Sequence, residues 1–169
     1  MTTATAPAIH VRVPLEEQFG GADFMPAPEL TALYEQLITD YPETHGHLHW
    51  VEVKLAWKRK GGKKNGQNNL AFCQKLSGAA KYYADADFLI WLAADEVLAR
   101  EMTDREIRAC VSHEMRHVGW DVDEEGNGKA VILGHDVELF FSEVREIGGW
   151  NEMLREAASA FEQAPLFGE

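Results

Sequence analysis

The densest chemistry in this chain is spelled by His113, Glu114, Met115, Arg116 and His117, which read H-E-x-x-H. Two histidines four apart on a helix stand one turn above the other on the same face, so their ring nitrogens can converge on one divalent cation. The glutamate beside the first histidine can then face a water held by that cation. This is the donor set of a mononuclear zinc hydrolase, with imidazole ligands for the metal and a carboxylate to take a proton. The motif needs a helix, and its flanks predict one. Thr103 and Glu106 form a T-x-x-E capping box, and Ile107, Cys110, Val111, Glu114 and Val118 follow at helical spacing. Gly119 stands where a left-handed stop is expected.

A catalytic zinc takes three protein ligands and leaves a fourth position for water. His135 is the favoured third ligand, beyond a loop long enough to reverse the chain and at the start of a second apolar stripe through Val137, Phe140, Phe141, Val144 and Ile147. Glu138, one turn later, and the adjacent Asp136 compete with it. If His135 binds, those two carboxylates can orient an imidazole N–H and fix its tautomer. Cys110, near one turn before His113, could approach the metal, but reads more simply as a small buried residue. Tyr82, Tyr83 and Arg116 are the candidates for stabilising an oxyanion. Arg116 is expected on the other face of the helix, in a surface ion pair.

These residues must be positioned by a mixture of helices and strands. A helix is predicted from Pro28 through Leu30, Leu33, Leu37 and Ile38, ending at Tyr41-Pro42. Leu48 to Trp57 reads as a strand, with His45, His47 and His49 exposed or half-buried at its start rather than serving as ligands. Lys58, Arg59, Lys60, Lys63 and Lys64 form a basic block whose Gly and Asn predict a hairpin loop. A second strand is predicted within residues 69–76 and a well-buried one over residues 88–92. In zincin-type proteases a strand just before the active helix often edges the cleft, where a peptide can add by backbone hydrogen bonds. The acidic stretch at residues 120–129 lacks the full EF-hand pattern and reads as a turn or loop. Asn151 can cap a last helix through Met153, Leu154, Ala157, Ala158 and Phe161. The expected organisation is an irregular arm at residues 1–27, with Val11, Val13, Leu15 and Phe19 able to dock. A single domain at residues 28–164 and a tail at 165–169 complete it.

Composition narrows the function classes. A chain of 169 residues suffices for one domain with a sizeable core. The net charge of −12 argues against binding nucleic acid or membrane surfaces by bulk electrostatics, so neither is an expected partner, although residues 58–64 are basic. No secretory signal is visible, and the longest apolar run, residues 88–94, is too short to span a bilayer. Two cysteines are too few for a disulfide framework and suit a reducing cytoplasm, that of a host cell if the chain is phage-encoded.

The segment ACVSHEMRHVGWDVDEEGNGKAVILGHDVELFFSEVREIGGW resembles the putative phage metallopeptidase family, itself similar in style to SprT-like zinc metallopeptidases. Members share an HExxH helix, a variable acidic loop, and an HD-x-E helix entering a Gly-Trp end. ADADFLIWLAADEVLAREMTDREIRACV is similar to the family's strand and lead-in, and the likeness covers about residues 45–150. The resemblance implies His113, His117 and His135 as Zn²⁺ ligands, Glu114 as general base, and a peptide or protein substrate. The fold expected is α+β and zincin-like, with a small, mainly antiparallel sheet packed on the HExxH helix and on a following ligand-bearing helix. A second reading is a non-catalytic zinc-binding regulatory or interaction protein. In it the metal would be closed by a fourth protein ligand, Glu138 or Cys110.

Overall fold

In the computed structural model, which describes residues 9–64, 66–136, 145 and 152–163, a four-stranded sheet carries the helices that hold the motif. Its order is β1 (Phe24–Pro26), β2 (Val53–Lys58), β6 (Phe88–Ala93) and β5 (Ala71–Lys75). β1 and β5 run antiparallel to their neighbours, and β2 and β6 are parallel, with Leu55 opposite Ile90. The sheet is therefore mixed, with antiparallel pairs in the majority.

β6 reads FLIWLA, and five of its six residues are buried, as suits a central strand. Both of its edges are paired, so it cannot receive an added strand. The expectation that the strand just before the motif helix edges the cleft is thus corrected. The outer strands are β1 and β5, because residues 71–75 return to pair against Phe88 to Leu92.

Alternation decides which side of the sheet packs where. Leu55 and Trp57 of β2 and Phe88, Ile90 and Leu92 of β6 face the main core. There they meet Leu30, Leu33 and Leu37 of helix α1 (Pro28–Asp40) and Ile107, Val111 and Met115 of helix α5 (Asp104–Met115). Helix α2 (Pro42–His45) and a 3-10 turn, Gly46–Trp50, connect α1 to the sheet. The strand predicted from Leu48 begins only at Val53, because Pro42 starts a helical turn that runs on through the histidines.

The basic block is a hairpin, β3 (Lys63–Lys64) against β4 (Gln67–Asn68). Helix α3 (Gly78–Ala84) leads into β6, and α4 (Ala94–Ala99) leads out of it. Beyond the motif, β7 (Val118–Val122) and β8 (Gly128–Ile132) pair as a second hairpin. Its turn is the acidic stretch. The Asp123 carboxylate accepts the backbone N–H groups of Glu125 and Asn127 at 3.0 and 2.8 Å, which holds its pKa below the usual range.

Residues 9–23 precede β1. Val11 and Phe19 are buried, Glu16–Phe19 is a 3-10 turn, and the Val11 N–H donates to Asp104 at the start of α5 at 2.9 Å.

The chain divides into two compact units, Met1–Leu133 and Gly134–Glu169. The first holds all the elements above. In the second, helix α6 (Glu152–Gln163) follows the predicted apolar spacing, with Leu154 buried and Met153 and Phe161 exposed. Of the predicted helix over residues 135–147, His135 and Asp136 are not helical and residue 145 is. The rest of it, the Gly148 stop and the Asn151 cap lie outside the described residues.

Candidate metal centre

The motif helix starts as its sequence requires. The Thr103 hydroxyl accepts the Glu106 N–H at 3.3 Å, and the Glu106 carboxylate accepts the Thr103 N–H at 2.8 Å, closing the capping box. The helix ends sooner than predicted, at Met115. The next two N–H groups, of Arg116 and His117, bond three residues back to His113 and Glu114, so the last turn tightens toward 3-10 geometry. His113 is therefore helical and His117 lies in the turn after it.

Gly119 is not a left-handed stop but a strand residue opposite Val131. A Cβ there would come within 2.8–2.9 Å of Leu133 and Val131 side-chain atoms, so glycine is required by close approach rather than by a positive φ.

The rings of His113 and His117 have centroids 5.2 Å apart and stand nearly perpendicular, at 82°. His117 is fixed twice by one residue. Its backbone carbonyl accepts the Leu133 N–H at 2.9 Å, and its Nδ1–H donates to the Leu133 carbonyl at 2.7 Å. That bond assigns the proton to Nδ1 and leaves the lone pair on Nε2, the tautomer suited to metal ligation.

His113, His117 and His135 each offer a ring nitrogen, and these lie within 4.8 Å of one another. Among the described residues no other group of His, Cys, Asp and Glu does so, and neither Asp136 nor Cys110 joins this one. Asp136 lines an open groove of about 810 Å³ in the second unit with His135, Met153, Ala157 and Phe161. Glu138 lies outside the described residues.

Glu114 is buried, at 8 % exposure. Its charge reaches two thiols, Cys73 and Cys110, whose pKa values are pushed up to about 12 by burial first and by that carboxylate second. Without a metal, both therefore stay protonated at neutral pH. On the α5 helix Cys110, His113 and Glu114 fall on one side, as their spacing dictates.

The oxyanion candidates fare differently. Tyr82 and Tyr83 are 80 % and 85 % exposed and stack edge-on against each other on α3. Arg116 is exposed and lines a separate groove with Leu37, Tyr41, Arg108 and Ser112, on the opposite side of the helix, as read from sequence. The ion pair expected for it is not formed among the described residues.

Sequence reading missed two residues that grip the motif from outside. His47 donates its Nε2–H to the Val118 carbonyl at 2.8 Å, just past His117. His45 is 1 % exposed and its Nε2 lies 3.2 Å from the Ser112 hydroxyl, just before His113. Burial, aided by the Arg116 charge and then His47, lowers its pKa to about 4, so it is neutral at pH 7. The expectation of exposed or half-buried histidines is corrected for His45. The only available signal was Pro42, which favours a helical turn over an early strand.

The family model described as "Putative phage metallopeptidase" matches residues 22–158, and the chain belongs to that family. Nothing among the curated proteins or the solved structures matches it.

Proposed function

We propose that this member of the putative phage metallopeptidase family is a zinc-dependent peptidase whose metal is held by His113, His117 and His135. The observation that carries this reading is the proximity of one ring nitrogen from each of those histidines, all within 4.8 Å. Three nitrogen donors, with no fourth protein donor among the described residues, suit an open catalytic zinc rather than a closed structural one. When bound, zinc would supply Lewis acidity, activating water and polarising the scissile carbonyl.

The chain's own residues supply the rest. The Leu133 carbonyl holds His117 in the ligating tautomer. Glu114, on the same helix and buried, takes a proton from the attacking water and delivers it to the leaving amine. Helix α5, capped at Thr103 and packed through Ile107, Val111 and Met115, fixes both His113 and Glu114. Asp136, next to His135 in sequence, would orient that ligand. The natural substrate is a peptide or protein acted on in the cytoplasm of the host cell.

The non-catalytic alternative needs a fourth protein ligand, and Cys110 is not among the donors that converge with the three histidines. The deciding experiment is Glu114→Gln, compared with wild type for zinc content and for cleavage of a peptide library. Retained zinc with turnover reduced at least ~10²-fold supports a general base. Undiminished turnover would remove Glu114 from that role.

A further inference from the structure

Charge in this chain is strongly segregated. Residues 53–84 contain eight of the sixteen Lys and Arg side chains and none of the twenty-eight Asp and Glu. Three of these cations are neutralised by acids from elsewhere. Arg59 pairs with Asp23 and Lys60 with Glu16, both at 3.0 Å, and Lys81 pairs with Asp87 at 2.6 Å. Lys54, Lys58 and Lys63 have no ion pair among the described residues.

The sheet collects two of them on one face. On β2, Lys54 and Lys58 alternate away from Leu55 and Trp57, so they lie on the side opposite the main core. Phe24 of β1, Phe72 and Gln74 of β5, and Leu89 and Trp91 of β6 share that side by register. Trp91 is buried beneath a small aromatic cluster. Its ring centre lies 6.5 Å from that of Phe24 and 6.0 Å from that of Phe72, and the Lys58 ammonium sits 4.3 Å above it. Phe24 remains 42 % exposed, and Lys54 and Gln74 are exposed beside it. The basic hairpin folds against the end of the same face. A Cβ on Gly61 would lie 2.9 Å from the Cβ of Ala93, a residue on the Trp91 side of β6.

We propose that this face, with the hairpin at its end, binds single-stranded nucleic acid. Lys54, Lys58 and Lys63 meet its phosphates, and Phe24 offers its ring to a base. A patch of cations without acids attracts a polyanion even on a protein of net charge −12, because screening confines each contact to about a Debye length. The acids elsewhere in the chain then restrict the contact to this side. The exposed Phe24 ring amid the lysines favours unpaired bases over a duplex or an acidic polypeptide, since only unpaired bases present open faces for stacking. The inference stands on the sheet and its charges and does not depend on the peptidase reading.

The test is fluorescence anisotropy of the full chain with a labelled oligothymidylate of about 20 nucleotides, titrated from ~50 to ~200 mM salt. The Lys54→Glu/Lys63→Glu double variant and Phe24→Ala are measured beside wild type, each checked for folding by circular dichroism. Wild type should bind. The double variant should lose about tenfold or more at the lowest salt, and its log-affinity against log-salt slope should shrink by about 1.4, or ~0.7 per phosphate contact. Phe24→Ala should weaken binding about fivefold or more with the slope unchanged. Absence of wild-type binding, or equal binding by the double variant, would overturn the proposal. So would binding of a duplex or of polyglutamate as tight as that of the oligonucleotide.

Discussion

Acidification should destabilise this protein through His45 before its carboxylates titrate. His45 is 1 % exposed, and its pKa is lowered from 6.5 to about 4 by burial, then by Arg116 and His47. A histidine with a depressed folded pKa favours the native state above its unfolded pKa, where both states are neutral. That advantage is lost as pH falls from ~6.5 through ~4, because the unfolded chain then binds a proton that the folded one resists. A shift of about 2.5 units corresponds to roughly 3 kcal/mol once complete, and about 2 kcal/mol of it should be gone by pH 5. The carboxylates with lowered pKa values, those of Glu16, Asp87, Asp104, Glu106 and Asp123, act at lower pH, since their contribution is lost only below the ordinary carboxylate range. Urea unfolding of metal-free wild type and His45→Gln at pH 7, 6 and 5 isolates the effect. The metal-site histidines are common to both proteins and cancel in the difference. Wild type should lose about 2 kcal/mol more than the variant between pH 7 and 5. Parallel pH profiles would refute the claim that a neutral, buried His45 supports the motif helix.

Two further perturbations probe how the site is held. Thr103→Ala removes the hydroxyl that accepts the Glu106 N–H and should cost about 1 kcal/mol in urea unfolding, as loss of a helix N-cap does. A change under a few tenths would show that the cap contributes nothing. Gly119→Ala forces a methyl within 2.8–2.9 Å of Leu133 and Val131 and should destabilise by about 1–3 kcal/mol. It should also weaken zinc binding about tenfold through the Leu133 carbonyl that orients His117, so unaltered metal affinity would show that this anchor is dispensable.

Local signals carried far into the structure and long-range ones did not. The capping box at Thr103 and Glu106, the Pro28 start of α1 and the depth of residues 88–92 were legible because each depends on near neighbours or on an unbroken apolar run. The position of β6 inside the sheet was not, because its parallel partner β2 is brought to it across more than thirty residues. Gly119 carried a stop signal that β8 overrode by pairing Val131 opposite it. His45 and His47 suggested a strand start, whereas Pro42 turned the chain and brought them to Ser112 and Val118. For the proposed centre, spacing singled out His113 and His117 and favoured His135, with Asp136 and Glu138 in competition. Choosing among them needs the β7–β8 hairpin, whose last turn of chain carries His117's partner Leu133 two residues before His135.

Zinc stoichiometry by elemental analysis tests the central claim most directly, on metal-replete wild type beside His135→Ala and Glu138→Ala, each checked for folding. One zinc per chain, lost with His135→Ala and kept with Glu138→Ala, is the predicted result. Zinc lost with Glu138→Ala and kept with His135→Ala, or a folded wild type that takes up none, would contradict the three-histidine centre.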